Sequence, residues 1–354
     1  MSDVQIGMAA ALEQFSPRES IRLAALAEQH GFSGQMAADH FQPWVPQQGQ
    51  ASFVWSVLAS LAENTTGDLG PGVTCPSFRL HPAMVAQAAA TLEATYPGRT
   101  WLGIGSGEAL NEHITGGYWP EAPERVKRMF EALEVIRKLF TGKDVKHSGE
   151  FFKLHTSRLW TLPDGPPPPV YIAAAGPYTS RKTGELADGL ITPGASIEKL
   201  GGILDNFNQG AKKAGKDPDA MPKLLQVHLS WADTDEQAWT NAMEQWPNGG
   251  MKFPKADVRS PFDFAQMAKL VRREDFEGRM VVCSDPDVHR ASLQKYIDAG
   301  FNRIYIHNVG LNQDKWLETF GREVLPKLTG ASDRRIVTGT TAPLPTRRQY
   351  AVFP

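Results

Sequence analysis

Apolar and polar positions along the chain follow two alternating periods. Short apolar runs recur, and each is followed by a segment with helical spacing. The runs are Gln5 to Leu12, SGQMAAD ending at Asp39, GVTC around Val73, TWLGIGSG from Thr100, VYIAAAG from Val170, GLIT at Gly189, LLQVHLSW from Leu224 and RIYIHNVG from Arg303. Helical character falls between them over Ser16 to His30, Phe53 to Glu63, Pro82 to Thr95 and Arg125 to Phe140, and after the last run over Asn312 to Leu328. The first helix has its punctuation in place. Ser16, Pro17 and Glu19 supply a cap, a first-turn proline and a capping-box carboxylate, Leu23, Leu26 and Ala27 share one face, and Gly31 is the stop. Strands alternating with helices imply right-handed βαβ units and a parallel sheet. Eight such units in this length fit a closed (β/α)8 TIM barrel, with an open doubly wound sheet as the alternative.

Two stretches interrupt the alternation. Val145 to Leu162 reads as short strands around a turn at Gly149 and closes at the proline run Pro166 to Pro169. Trp246 to Arg279 is longer and rich in Gly, Pro, Lys and Asp. Insertions in barrels lengthen the βα loops, and those loops build the site. Residues 1–330 are therefore expected to form one barrel domain. From Ala331 the chain turns polar and rich in Pro, Thr and Arg, which predicts a tail, 331–354, that is disordered or docked on a partner subunit.

Composition narrows the function classes. The 354 residues carry 37 basic and 39 acidic side chains, a net charge of -2, which argues against a nucleic-acid partner. With 41% hydrophobic and 21% charged residues the chain is that of a soluble globular protein. Its two cysteines, Cys75 and Cys283, lie far apart and lack metal-ligand spacing, so neither a disulfide framework nor a metal site is expected. No apolar run approaches the roughly 20 residues of a membrane helix. The first residues lack a basic segment followed by an apolar stretch, so no membrane association is expected and the cytoplasm is the default compartment.

Three clusters fall at predicted strand ends. In Asp39-His40-Phe41-Gln42-Pro43-Trp44 a histidine suited to take a proton near neutral pH stands beside a tryptophan against which a ring system could lie. Gly103-Ile104-Gly105-Ser106-Gly107-Glu108 fails as a dinucleotide fingerprint because Glu108 replaces the third glycine. Its glycines instead allow the backbone to approach a flat ligand, and Glu108 sets a carboxyl on the same rim as His40, a candidate acid/base pair. Ala173-Ala174-Ala175-Gly176-Pro177 leads from a strand into a helix and offers backbone N–H groups to an anion. Each cluster alone also admits a purely structural role; their shared address at strand C-termini is what combines them.

ADHFQPW, GVTCP followed by SFRLHPAMVAQA, YPGRTWLGIGSGEALNE and PVYIAAAGP together resemble the F420-dependent glucose-6-phosphate dehydrogenases of the bacterial-luciferase-like superfamily, over about residues 5 to 328. The resemblance implies a (β/α)8 barrel that binds coenzyme F420, a deazaflavin, in its C-terminal mouth, usually as a homodimer. On it, His40 is the base that takes the substrate hydroxyl proton as hydride leaves for C5 of the deazaflavin. Glu108 donates or holds a proton near the reduced ring, and Trp44 stabilises the reacting centre. Asp39 and the backbone at Gly72-Val73, where relatives carry a bulge with a cis peptide, position the ring. Cys75, Ser106, Gly107 and Asn111 line the cofactor, while Ala174, Ala175 and Gly176 meet its phosphate tail.

The departures concern the substrate. Thr192-Pro193-Gly194-Ala195-Ser196 lacks the lysine with which the sugar-phosphate enzymes grip phosphate, while Lys255 (or Lys252) and Arg279 match two other cationic positions. One lost charge-assisted hydrogen bond, about 1.5–3 kcal/mol, weakens a phosphorylated sugar roughly 10- to 100-fold. The small-molecule substrate is thus a sugar phosphate, a sugar or a secondary alcohol. An FMN-dependent monooxygenase and a non-catalytic F420-binding protein are the competing expectations, the latter opposed by the presence of both His40 and Glu108.

Overall fold

Eight parallel strands wind around a common axis in the computed structural model, which describes residues 4–330. They are β1 (Gln5–Ala10), β2 (Gly34–Ala37), β3 (Asp68–Pro71), β4 (Leu102–Ile104), β5 (Val170–Ala173), β6 (Gly189–Pro193), β7 (Lys223–Ser230) and β8 (Arg303–Asn308). They pair in the order β3-β2-β1-β8-β7-β6-β5-β4. The two ends meet through parallel bridges, Leu69 to Thr100 and Thr74 to Ile104, so the sheet closes into the expected barrel. The tail expected over 331–354 lies outside the described residues.

The closure is uneven, and that shapes the mouth. Between the two bridges the β3 side spends five residue steps and the β4 side four, so the chain bulges by one residue at its rim. The Gly72-Val73 peptide inside the bulge is cis. The strand expected at GVTC is accordingly displaced: the ladder takes the preceding residues Asp68–Pro71. Beyond them Gly72 N still donates to Ala37 O (2.8 Å) and Thr74 N to Gly103 O (3.0 Å). The seam is close enough that a Cβ on Gly103 would collide with the Pro71 carbonyl oxygen.

Side chains from non-adjacent strands meet inside the barrel. Trp101 lies 5.7 Å from Tyr171 and 5.8 Å from Tyr305, ring centre to ring centre, and Ala9, Met36, Ile191 and Leu224 complete this interior cluster. At the N-terminal end Tyr305 donates to Asp68 (2.7 Å), which also pairs with Arg303. Larger apolar layers separate the strands from the outer helices.

The helices stand close to their predicted spans: Pro17–Gln29, Val54–Asn64, Pro82–Thr95 and Ala122–Leu139. Ser16 accepts from Glu19 N (3.4 Å), but the Glu19 carboxylate pairs with Arg22 (2.6 Å), so no reciprocal capping box forms. The last helix, Gln313–Thr319, is shorter than expected, because the chain continues as a wider turn and a 3-10 turn that contains Pro326. Val145–Ser148 and Lys153–Ser157 form the antiparallel hairpin expected around Gly149. The long insertion contains the helix Pro261–Ala268 and folds back on the mouth: Ala256 O accepts from Ala109 N (2.7 Å), and Met251 and Phe264 pack with Val45 and Leu110.

The seam yields a prediction. Gly103→Ala should cost about 2 kcal/mol or more, since the carbonyl it meets is backbone, and should lower the thermal midpoint by several degrees. A midpoint unchanged within experimental error would mean that the seam relaxes freely.

Candidate active site

Every polar cluster singled out above stands at the C-terminal end of a strand. His40 follows β2 in a loop held from behind: Asn111 Oδ1 accepts from Phe41 N (2.9 Å) and Gln42 N (3.3 Å), and Gln42 Nε2 donates to Leu110 O (2.8 Å). Asn111 is only 4% exposed and spends its carbonyl on that loop. Its carbonyl therefore supports the wall of the mouth from behind.

Two carboxylates bracket the His40 imidazole. Glu13, just past β1, brings Oε1 to 3.2 Å from Nδ1, within ion-pair distance though off the hydrogen-bond line. Glu108, past β4, brings Oε2 to 3.9 Å from Nε2, too long for a direct bond. With Nδ1 turned to Glu13, Nε2 is the ring nitrogen on the Glu108 side. Burial pushes the Glu108 carboxyl above the usual carboxylate range, against the opposing pull of His40 and Lys255. The Trp44 ring lies 5.2 Å from His40 and meets Phe264 (5.2 Å) and Trp246 (6.0 Å) edge-on, so it is packed in place. Sequence patterning missed Glu13. Its only signal was a carboxylate directly after an apolar run.

Beneath the imidazole lies a buried charge cluster. Arg79 pairs with Asp39 (2.7 Å), donates to the Asp39 carbonyl (3.1 Å), and gives its own N–H to Glu112 (2.9 Å). Thr74 Oγ1 donates to the second Asp39 oxygen (2.9 Å), tying the cluster to the bulge. Burial lifts Glu112 to about 7, against the pull of Arg79, and pushes the Cys75 thiol well up, so Cys75 stays protonated. Cys75 is packed against Gly107, whose φ is +82° and where an added Cβ would stand only 2.7 Å from Cys75 Sγ. Gly72, Val73, Ser106 and Gly107 keep part of their surface open, forming a shelf at the barrel rim.

Past β5, Ala174 is buried and gives its N–H to Ile191 O (2.9 Å), so that donor is spent inside the barrel. Ala175 and Gly176 remain open, and Gly176 caps the helix Pro177–Leu186. On the opposite rim, Lys255 donates to Asn248 O (2.8 Å) and Arg279 to Met251 O (2.9 Å). Lys252 instead pairs with Asp275 at the surface (2.9 Å), which separates it from Lys255. Burial and neighbouring Arg279 lower the Lys255 ammonium below its usual range, while Glu108 draws it the other way. Arg279 lines a cavity of about 220 Å³ with Ser196, His228 and Tyr296.

Comparison with known proteins gives a consistent set of likenesses. Residues 2–303 match the family described as luciferase-like monooxygenase. An F420-dependent glucose-6-phosphate dehydrogenase of Nocardia farcinica (strain IFM 10152) is 37% identical over 93% of this chain and 99% of its own length. F420-dependent glucose-6-phosphate dehydrogenase 2 of Rhodococcus jostii (strain RHA1) is 38% identical over 92% and 98%. The structure of an F420-dependent secondary alcohol dehydrogenase in complex with an F420-acetone adduct superposes with a TM-score of 0.87 at 30% identity, covering 92% of this chain and 98% of that one.

The charge cluster yields a prediction with a definite sign. The folded state holds the Glu112 proton up to about pH 7, whereas an unfolded glutamate releases it near 4.5. Between those values the folded state binds the extra proton, so this group's contribution to stability falls as pH rises. Glu112→Gln should therefore gain on the parent protein between pH 5 and 8, by about 3 kcal/mol at most. Parallel pH–stability curves for the two proteins would contradict this.

Proposed function

The chain belongs to the luciferase-like family and, within it, to the F420-dependent glucose-6-phosphate dehydrogenase group, and from that membership we propose how its own residues divide the chemistry. It is an F420-dependent oxidoreductase acting on CH–OH groups. When bound, F420 supplies the hydride acceptor, at C5, for the hydrogen on the carbinol carbon.

The mouth fits such a cofactor on its own geometry. The open shelf at Gly72, Val73, Ser106 and Gly107 suits a flat ring, and its two glycines let the backbone sit tightly on Met36 and Cys75 behind it. Asp39 stands at the edge of that shelf, fixed by Arg79 and Thr74. Ala175, Gly176 and the helix start behind them suit an anionic tail.

The observation that carries the proposal is the bracketed imidazole. His40 Nε2 takes the hydroxyl proton as the carbon gives up its hydride, so a secondary alcohol becomes a ketone with both hydrogens accounted for. Glu13 holds the ring from the other side and favours the positive charge the ring acquires. Glu108, whose carboxyl burial raises above the usual range, faces it across the gap as the group to hold or donate a proton there. Trp44 closes the flank and excludes water. Lys255 and Arg279 tie the insertion across the mouth and face the remainder of the substrate. The homodimer that the resemblance implies, and the cytoplasm as default compartment, belong to this proposal.

His40→Ala should lower alcohol-dependent F420 reduction by at least about 100-fold, the range lost with a general base. F420 binding, read from quenching of tryptophan fluorescence, should persist. Loss of both together would make His40 a structural residue.

A further inference from the structure

Unpaired positive charge gathers in one cavity away from His40. This cavity, of about 220 Å³, lies among the loop after β6, strand β7, the end of the insertion and the helix Pro286–Asp298. Its walls carry Arg279 and Lys295, the hydroxyls of Ser196, Ser292 and Tyr296, and the His228 ring, but no carboxylate. Both cations have donors to give. Arg279 spends one N–H on the Met251 carbonyl (2.9 Å), and among the described residues nothing accepts from the rest of its fork. The Lys295 ammonium, in the last turn of its helix, has neither a hydrogen bond nor an ion pair among the described residues. By contrast, Arg290 on the same helix pairs with Asp287 (3.1 Å), and Lys252 on the insertion with Asp275 (2.9 Å).

We propose that Lys295 and Arg279 form a phosphate site in this cavity, with Lys295 supplying from the helix Pro286–Asp298 the ammonium that the loop after β6 lacks. Like charges set around one cavity without a counter-charge repel each other, and an anion between them removes that cost. The planar Arg279 fork suits two oxygens of a phosphate, and the Lys295 ammonium, a mobile point charge, suits a third. The loop after β6 brings only Ala195 and Ser196, yet it starts the helix Ile197–Lys213, whose positive end opens on the cavity through Ser196 and Ile197. Ser196 Oγ accepts from Lys199 N (3.4 Å), which leaves its own proton to give. A neutral ligand would leave both cations unpaired.

Free phosphate and the phosphate of an ester share this chemistry. Position favours the ester, because Lys255 interacts electrostatically with Arg279 on one side and with Glu108 on the other, so the cavity adjoins the mouth. On the dehydrogenase reading, the site then holds the phosphate of a substrate whose carbinol faces His40. Its affinity for phosphate stands on the cavity's own groups and does not rest on that reading.

Titration calorimetry with inorganic phosphate, in chloride at constant ionic strength, tests the site. The parent protein should bind phosphate saturably. Lys295→Met should weaken that binding about tenfold or more, and Lys295→Arg should restore most of it. Lys212→Met, at the far end of the helix Ile197–Lys213, should leave it unchanged. No saturable binding, equal affinity in the parent and Lys295→Met, or the same loss in Lys212→Met would overturn the proposal. Kinetics of F420 reduction separate the two sources, and either pattern keeps the site. For a substrate ester, phosphate competes with glucose-6-phosphate, and Lys295→Met raises KM for that ester about tenfold while kcat and turnover of glucose hold. For free phosphate, neither KM moves. Protein that binds phosphate and F420 but reduces F420 with no alcohol would overturn the dehydrogenase assignment and leave the phosphate site standing.

Discussion

The mouth of this barrel depends on one buried guanidinium. Arg79 neutralises Asp39, gives its backbone N–H to Glu112 and reaches the Asp39 carbonyl, so one residue ties together the loops after β2, β3 and β4. Three segments distant in sequence are thereby held at a common height above the interior cluster of Trp101, Tyr171 and Tyr305. Buried pairs of this kind contribute little net stability, and their removal is costly because a charge is left without its counter-ion. What they secure here is position: the bulge at Gly72-Val73, the Asp39 carboxylate and the peptide carrying His40 keep fixed separations.

That rigidity explains how a weakly connected imidazole can act as a base. His40 touches Glu13 on one side and stops 3.9 Å short of Glu108 on the other. The gap allows a substrate oxygen to approach Nε2 without displacing an existing hydrogen bond. Glu108, raised by burial, and Glu13, in ion-pair contact, are two carboxylates set to different tasks by their surroundings. The insertion completes the enclosure by packing Phe264 and Trp246 against Trp44, so the site is walled by side chains from both ends of the chain.

Much of this was legible in the linear sequence. Continuous apolar runs followed by helical spacing located the barrel, because strands in a closed parallel sheet have no solvated face to mark with polar residues. His40, Trp44 and Glu108 were visible because chemistry-bearing residues abut strand ends. The third strand was misplaced, because GVTC has the composition of a strand while its backbone leaves the ladder at the bulge. Glu13 and Arg79 were not singled out: their partners are 27 and 40 residues away, and only closure of the barrel brings them together. What Asn111 Oδ1 and the Ala174 N–H do for the fold was not legible either, since Phe41 and Ile191, their partners, lie far along the chain.

The central claim is that the deazaflavin ring lies on the glycine shelf within reach of the bracketed imidazole. A crystal structure of the protein with F420 tests it most directly. The ring should rest against Gly72-Val73 and Ser106-Gly107, with C5 facing the gap between His40 Nε2 and Glu108. A ring bound elsewhere in the barrel, or turned so that C5 points away from His40, would contradict the account.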